Sequence, residues 1–263
     1  MMYFQKPTVK DFFLSFSFNA DAVIHLASFP RQKVVERNPI WGSDVMSTGL
    51  VNLLELTKNY KIPKFVYVSS SMVYGDFAND VVETATCDPV GQYAIMKYAG
   101  EQLVKDYTRR GCFDHVIIRP SAVYGELDVE DRVVSKFILT ALRGKTLNVK
   151  GASEVLDFTH VSDTAMGIAL ATTNNNSINQ TYNITRCDRN LYTLADAANQ
   201  IVDIVGSGKI SIEDRDWNFP TRGRLDIMKA RTDLGYEPKI NLTTGLMRYI
   251  KWFKESPYWQ QKI

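Results

Sequence analysis

Two short runs of apolar and β-branched residues, Ala22 to Ala27 (AVIHLA) and Phe65 to Ser70 (FVYVSS), read as strands buried on both faces. Between them, Val45 to Asn59 brings Leu50, Leu53, Leu54 and Leu56 near helical spacing, and Pro63 closes the connection. The alternation continues with a long helical pattern from Gln92 to Arg110 and a third strand at His115 to Arg119 (HVIIR). Strand, helix and strand in repetition predict a doubly wound α/β fold with a parallel sheet. After Gly125 the rhythm changes to a charged loop over Glu126 to Arg132, a helix through Phe137 to Leu142, a turn at Gly144 and short strands around Leu147 to Val149. Thr181 to Thr185 reads as a strand returning to the main sheet. Leu194 to Val205, Ile227 to Leu234 and Thr244 to Lys254 read as helices, the middle one stopped by Gly235 with Pro238 following.

Composition narrows the partners. The 263 residues carry 45% hydrophobic and 23% charged side chains, and no stretch reaches the roughly 18 apolar residues of a membrane span. A net charge of +2 with both signs spread along the chain offers no basic face to nucleic acid or to a membrane. Cys87, Cys112 and Cys187 lack any CxxC spacing and suit reduced thiols, and His25, His115 and His160 fall at no ligand spacing, so no metal is expected. His25, in mid-strand, reads as a core histidine. The opening MMYFQKP has no leader pattern, and the expected location is cytoplasmic.

The pattern Tyr-x-x-x-Lys occurs at Tyr60/Lys64 and at Tyr93/Lys97. Tyr60 closes a helix and Pro63 interrupts its spacing, whereas Tyr93 opens a helix in which residues four apart share a face. Ser69, Ser70 and Ser71 stand at the C-terminal end of the second strand, where ligands of open α/β sheets bind. A hydroxyl, a phenol and an ammonium in one place suit removal of a proton from an alcohol while hydride leaves its carbon. A phenol with a pKa near 10 is too weakly ionised for that work, and a neighbouring lysine cation lowers it. Tyr93 is then the base, Ser70 orients the reacting oxygen, and Lys97 tunes Tyr93.

The segments DAVIHLAS (21–28), FVYVSSSMVYG (65–75), YAIMKYAGE (93–101), IIRPSAVYG (117–125), LDFTHVSD (156–163), YNIT (182–185) and KARTDLGYEP (229–238) follow one another as in the extended short-chain dehydrogenase/reductases of the nucleotide-sugar epimerase/dehydratase type. The resemblance runs from about Asp11 to Trp252. It implies a Rossmann-like NAD-binding part at 1–125 and 156–188 and a smaller α+β lobe for the nucleotide sugar at 126–155 and 189–263. It further implies NAD as cofactor and a nucleoside-diphosphate sugar as substrate. In that likeness Ala27, Ser28, Ser69, Tyr93, Lys97, Pro120 and Val123 meet the cofactor, Lys97 at the nicotinamide ribose. Ser70, Ser71, Met72, Ser121, Arg132 and Arg222 meet the substrate. A homodimer is implied, with the Gln92 to Arg110 and Val45 to Asn59 helices of two copies in a four-helix contact. The 4,6-dehydratases of the family carry carboxylic side chains just after the catalytic hydroxyl, where this chain has Ser71 and Met72. A methionine transfers no proton, so reversible oxidation at C4 through a transient 4-keto sugar, an epimerase reaction, fits better than elimination.

Three departures stand against the pattern. The family opens with a strand, a G-x-x-G-x-x-G turn and a helix that hold the pyrophosphate, whereas the first glycine here is Gly42. Lys10 to Asn19 resembles the helix leading into the family's fourth strand, so the first three strands and their helices lack a counterpart, and the Ala22 to Ala27 strand is expected to lie at an open sheet edge. Another polypeptide supplying that half, a start site recorded too late, or a fragment with impaired NAD affinity would each account for it. Leu156 stands where many members place an arginine, with Arg132, Arg222 or Arg224 as compensating candidates. An asparagine often found near the sugar has Met46 by spacing, or Asp44 by composition, in its place. The alternative to an epimerase is a catalytically silent member that binds a sugar nucleotide or a complementary chain, with a nucleotide-sugar reductase as a further choice.

Overall fold

The computed structural model describes residues 20–29, 32–128, 132–215 and 220–260. The expected helix at Lys10 to Asn19 lies outside them. The chain forms two compact units: Met1–Val73, Pro89–Arg119 and Ala171–Thr181 contribute to the first, and Tyr74–Asp88, Pro120–Leu170 and Tyr182–Ile263 to the second.

The first unit is built on the parallel α/β sheet that the sequence pattern predicts. Its strands β1 (Val23–His25), β2 (Lys64–Val68) and β3 (Asp114–Pro120) lie in that order, followed by the strand that begins at Gln180. β1 and β2 run parallel with Val23 opposite Phe65, and β2 and β3 run parallel with Lys64 opposite Asp114, so the C-terminal ends of all three face the same way. Burial explains the choice of residues: Phe65, Val66, Val116, Ile117 and Ile118 have no exposed surface, each such side chain contributing roughly 1.5–3 kcal/mol. Among the described residues β1 borders the sheet, with Ile24 and Leu26 exposed beside it.

Two boundaries differ from the pattern. β1 and β2 stop short of the apolar runs that predicted them, and the helix expected from Val45 begins earlier, as Pro39–Ser43, passes through a π-helical turn at Asp44–Thr48 and becomes regular over Gly49–Asn59. The π turn inserts one extra residue per turn, which is why no single heptad-like stripe crosses Trp41 to Asn59. Met46 is buried and Asp44 exposed in that turn. Leu50 and Leu54 pack with Phe65, Tyr67, Val104, Tyr107, Phe113 and Ile117 into the core between helices and sheet.

The second unit packs the helices Val133–Leu142, Leu194–Val205 and Leu242–Glu255 around one core that includes Phe137, Ile201 and Leu246. The strand Thr146–Lys150 points Leu147 and Val149 into this core and its alternate residues outward, and pairs in parallel with Lys209–Glu213. The latter strand, whose KISIE alternates polar and apolar residues, and the helix Val161–Thr173 were not among the elements expected from the sequence. The helix is rich in Ala and Thr and shows no apolar stripe to betray it. Local chemistry ends the helices as expected: Gly235, at φ 68, takes the left-handed conformation after Met228–Leu234.

Candidate active site

The chain leaves β2 at Val68 and passes through Ser69 and Ser70 into a 3-10 turn over Ser71–Tyr74. Ser69, Ser70, Ser71 and Met72 are all buried. The backbone N–H of Ser69 donates to the Ile118 carbonyl (2.7 Å), and the Met72 N–H donates to the Ser70 hydroxyl oxygen (3.2 Å). The strand end is therefore a tethered structure rather than a loose loop.

Tyr93 and Lys97 stand in the first turns of the helix Gln92–Arg109. Gly91, at φ 83, gives this helix its abrupt start. The Gln92 side-chain amide donates to the Pro39 carbonyl (2.8 Å) and the Ser43 hydroxyl (2.9 Å), tying the first turn to a neighbouring helix. Lys97 is buried, and its ammonium donates to the Val68 carbonyl at 2.8 Å. The same nitrogen lies 6.0 Å from the centre of the half-buried Tyr93 ring and 5.3 Å from that of Tyr67. The structure thus brings Lys97 to the last residue of β2, two residues before Ser70, and sets it beside Tyr93. Burial pulls the Lys97 pKa down to about 8, and the Glu101 carboxylate opposes that fall.

Beyond the end of β1, Ala27 is exposed and Ser28 half-buried, its hydroxyl donating to the Phe29 carbonyl (3.0 Å). His25 is buried against the rings of Tyr67 (5.8 Å between centroids) and Phe65 (6.1 Å). Burial first, and the Lys97 charge second, lower its pKa to about 4, so it is a neutral core ring at physiological pH.

Comparison with known proteins settles the kinship. The model of the NAD dependent epimerase/dehydratase family matches residues 5–185. A putative UDP-glucose 4-epimerase of Methanocaldococcus jannaschii is 31% identical over 249 residues, which cover 90% of this chain and 78% of that protein. The chain belongs to the NAD-dependent epimerase/dehydratase family. The structure of UDP-glucuronic acid 4-epimerase from Bacillus cereus, in complex with UDP-glucuronic acid and NAD, superimposes with a TM-score of 0.84 at 27% identity, covering 89% of this chain and 76% of that one. A dTDP-glucose 4,6-dehydratase of Streptomyces niveus is 25% identical across 92% of this chain and 73% of its own length. Epimerases and dehydratases therefore both stand among the relatives of this family member.

The remaining sequence candidates of the epimerase/dehydratase chain fall in the second unit. Ser121 is buried, and Val123 begins a two-residue strand, Val123–Tyr124, parallel to Thr159–His160. Pro120 ends β3. Arg132 precedes the helix Val133–Leu142 and pairs with Asp128 at 3.4 Å. Arg222 is half-buried and feels the charges of Glu154 and Arg215, which pair with each other at 3.2 Å. Arg224 is committed to structure, its guanidinium donating to both Asp80 carboxylate oxygens (2.8 Å each) and to the Arg189 carbonyl (2.8 Å). Leu156 is a core residue whose strand pairs with Tyr192–Thr193, so an apolar side chain there serves packing. Among the described residues no three His, Cys, Asp or Glu side chains gather as a metal site, and no helix is long and apolar enough to cross a membrane.

Sequence reasoning assigned nothing to Glu101 and Arg119. Both are buried, and Arg119 donates to both Glu101 oxygens, at 2.9 and 2.6 Å. The available signal was a charge ending an apolar strand (HVIIR) and an acid one helical turn beyond Lys97.

Proposed function

We propose that this family member is an NAD-dependent epimerase of a nucleoside-diphosphate sugar, acting at C4 through a transient 4-keto sugar. The observation that supports this most directly is the Lys97 ammonium, fixed on the Val68 carbonyl at the mouth of the parallel sheet and 6.0 Å from the Tyr93 ring. An adjacent cation favours the phenolate over the phenol, which equips Tyr93 to take the proton of the C4 hydroxyl. Ser70, on the tethered strand end, holds that oxygen in place, and Lys97 also faces the cofactor ribose. When bound, NAD supplies the acceptor and later the donor of the C4 hydride.

The residues present fit the nicotinamide-ribose end of that cofactor: a buried cation held at the C-terminal end of β2, with Ser69 next to it and Ala27, Ser28 beyond β1. Pro120 and Val123 are assigned to the nicotinamide, and Ser71, Met72, Ser121, Arg132 and Arg222 to the substrate, on family resemblance. The glycine-rich turn has no counterpart in residues 1 to 41, so no residue is assigned to the adenosine diphosphate end. The cofactor part is proposed at 1–125 and 156–188, the sugar-nucleotide lobe at 126–155 and 189–263, in a cytoplasmic homodimer joined by the Gln92–Arg109 and Gly49–Asn59 helices.

The buried Met72, in place of an acid, favours epimerisation over the elimination run by the dehydratase relatives. The test is interconversion of UDP-glucose with UDP-galactose, of their N-acetyl forms, and of UDP-glucuronate with UDP-galacturonate, in the presence of NAD. Tyr93→Phe is expected to lower the rate by about 10²-fold or more. A folded protein that neither binds NAD nor turns over any of these pairs would favour the second reading, a silent member that binds a sugar nucleotide or a complementary chain.

A further inference from the structure

The Gln92–Arg109 helix carries its two reactive side chains in the first turns, and one turn later it buries an acid. Glu101 has no exposed surface, and Arg119, at the end of β3, is 3% exposed. A carboxylate taken out of water costs several kcal/mol unless it is paired and its lone pairs are filled. Glu101 meets that condition with Arg119 on both oxygens (2.9 and 2.6 Å) and with the Ser69 hydroxyl, which donates to Oε1 at 2.6 Å. Replacing a buried ion pair by apolar residues of similar volume is often neutral or stabilising, so stability by itself does not account for these charges.

What the carboxylate joins suggests what does. Ser69 lies between Val68, whose carbonyl holds the Lys97 ammonium, and Ser70. Ser69 is held from both sides, by its N–H on the Ile118 carbonyl and by its hydroxyl on Glu101. Lys97 and Glu101 are four residues apart on one helix face. Of the other groups that face Lys97 among the described residues, the Tyr93 phenol, its ring centre 6.0 Å from the ammonium, is the one that the cation draws toward ionisation, and those on the sheet carry no negative charge at neutral pH. On β1, His25 is neutral; on β2, Tyr67 is a phenol kept protonated by burial and by the Glu101 and Tyr93 charges; Arg119, on β3, is a cation behind Glu101.

We propose that Glu101 is a positioning residue, which locks the strand end that carries the Val68 carbonyl and Ser70 and supplies the countercharge to the buried Lys97 ammonium. This deepens the reading of Tyr93 and Lys97 as the catalytic pair and rests on it for its catalytic consequence. Its electrostatic half does not need turnover to be read. Without the carboxylate, burial acts on Lys97 unopposed and the Arg119 cation adds to the loss of its proton.

The experiment is a pH titration of Lys97 by NMR in the full chain labelled with ¹³C-lysine, assigned with Lys97→Met. The wild-type midpoint is expected near 8. Glu101→Gln is expected to lower it by about one pH unit, and Glu101→Asp, which keeps the charge, to restore most of the shift. In Glu101→Gln/Arg119→Met the Arg119 cation is not left buried without its carboxylate, so this variant serves if the single one does not fold, and its midpoint is expected between those of the wild type and Glu101→Gln. An unchanged Lys97 midpoint in whichever of the two folds would overturn the proposal. With a turned-over substrate, the Glu101→Gln kcat at pH 8 falls about fivefold, from half to roughly a tenth of Lys97 charged, with KM unmoved and the alkaline limb displaced to lower pH. Activity that survives Tyr93→Phe would instead refute the catalytic pair while leaving the titration result standing.

Discussion

Gly100 offers a test in which two ordinary effects oppose each other. It lies in the middle of the Gln92–Arg109 helix, where replacing glycine by alanine gains about 1 kcal/mol of backbone propensity. A methyl group at this position would run into the Tyr67 hydroxyl and ring and come within 3.1 Å of the Leu50 side chain. Tyr67 has little room to yield: it is 2% exposed, stacks on His25, and donates its hydroxyl to the Lys97 carbonyl at 3.4 Å. Overpacking of a site so confined costs about 1–3 kcal/mol, and since Tyr67 belongs to the central strand the upper part of that range applies. Gly100→Ala is therefore expected to destabilise by about 1–2 kcal/mol. In urea unfolding followed by circular dichroism the midpoint should fall by roughly half a molar. Tyr67→Phe, which removes the oxygen that the methyl meets, should recover part of the loss in the double variant. A raised midpoint for Gly100→Ala would show that the helix seats on β2 with slack, and the account of how Lys97 is held at Val68 would fall with it.

Acid should unfold the first unit through its histidines. His25 and His115 are neutral in the folded chain down to about pH 4, because burial lowers both, and they take up protons near 6.5 when unfolded. Stability is therefore lost as pH falls from 6.5 to 4, by up to about 3 kcal/mol for each ring. Asp157, raised by burial to about 6, works in the opposite direction over the same range, and a His25→Leu variant whose stability between pH 6.5 and 4 declined as steeply as the wild type's would contradict the assignment. Thr193 caps the Leu194–Val205 helix in a reciprocal box, its hydroxyl accepting from the Asp196 N–H (3.0 Å) while the Asp196 carboxylate accepts from the Thr193 N–H (2.9 Å). Thr193→Ala is expected to cost about 1 kcal/mol and to lower the calorimetric Tm by roughly 2–4 °C; an unshifted Tm would mean that the box contributes nothing.

Local spacing was enough to read the frame of this protein. The apolar runs around Val23–His25 and Lys64–Val68, the helix that opens at Gln92 and the stop at Gly235 are each written within a few consecutive residues, because the period of apolar positions and the φ freedom of glycine act over a turn or two. The same locality placed Lys97 one turn after Tyr93 and the serines at a strand end. The π turn at Asp44–Thr48 and the helix Val161–Thr173 were not legible, since an inserted residue and an Ala-rich helix leave no strong period, while the strand Lys209–Glu213 does alternate, as KISIE, but over five residues only. Nor could spacing say what would hold Lys97. The Val68 carbonyl is 29 residues away, and the acid that faces it is kept buried by an arginine 18 residues further on. Such partners become neighbours only when β2 and β3 pair in register under the helix, and it is their shared exclusion from water, a property of the packed chain, that makes the charges strong enough to matter.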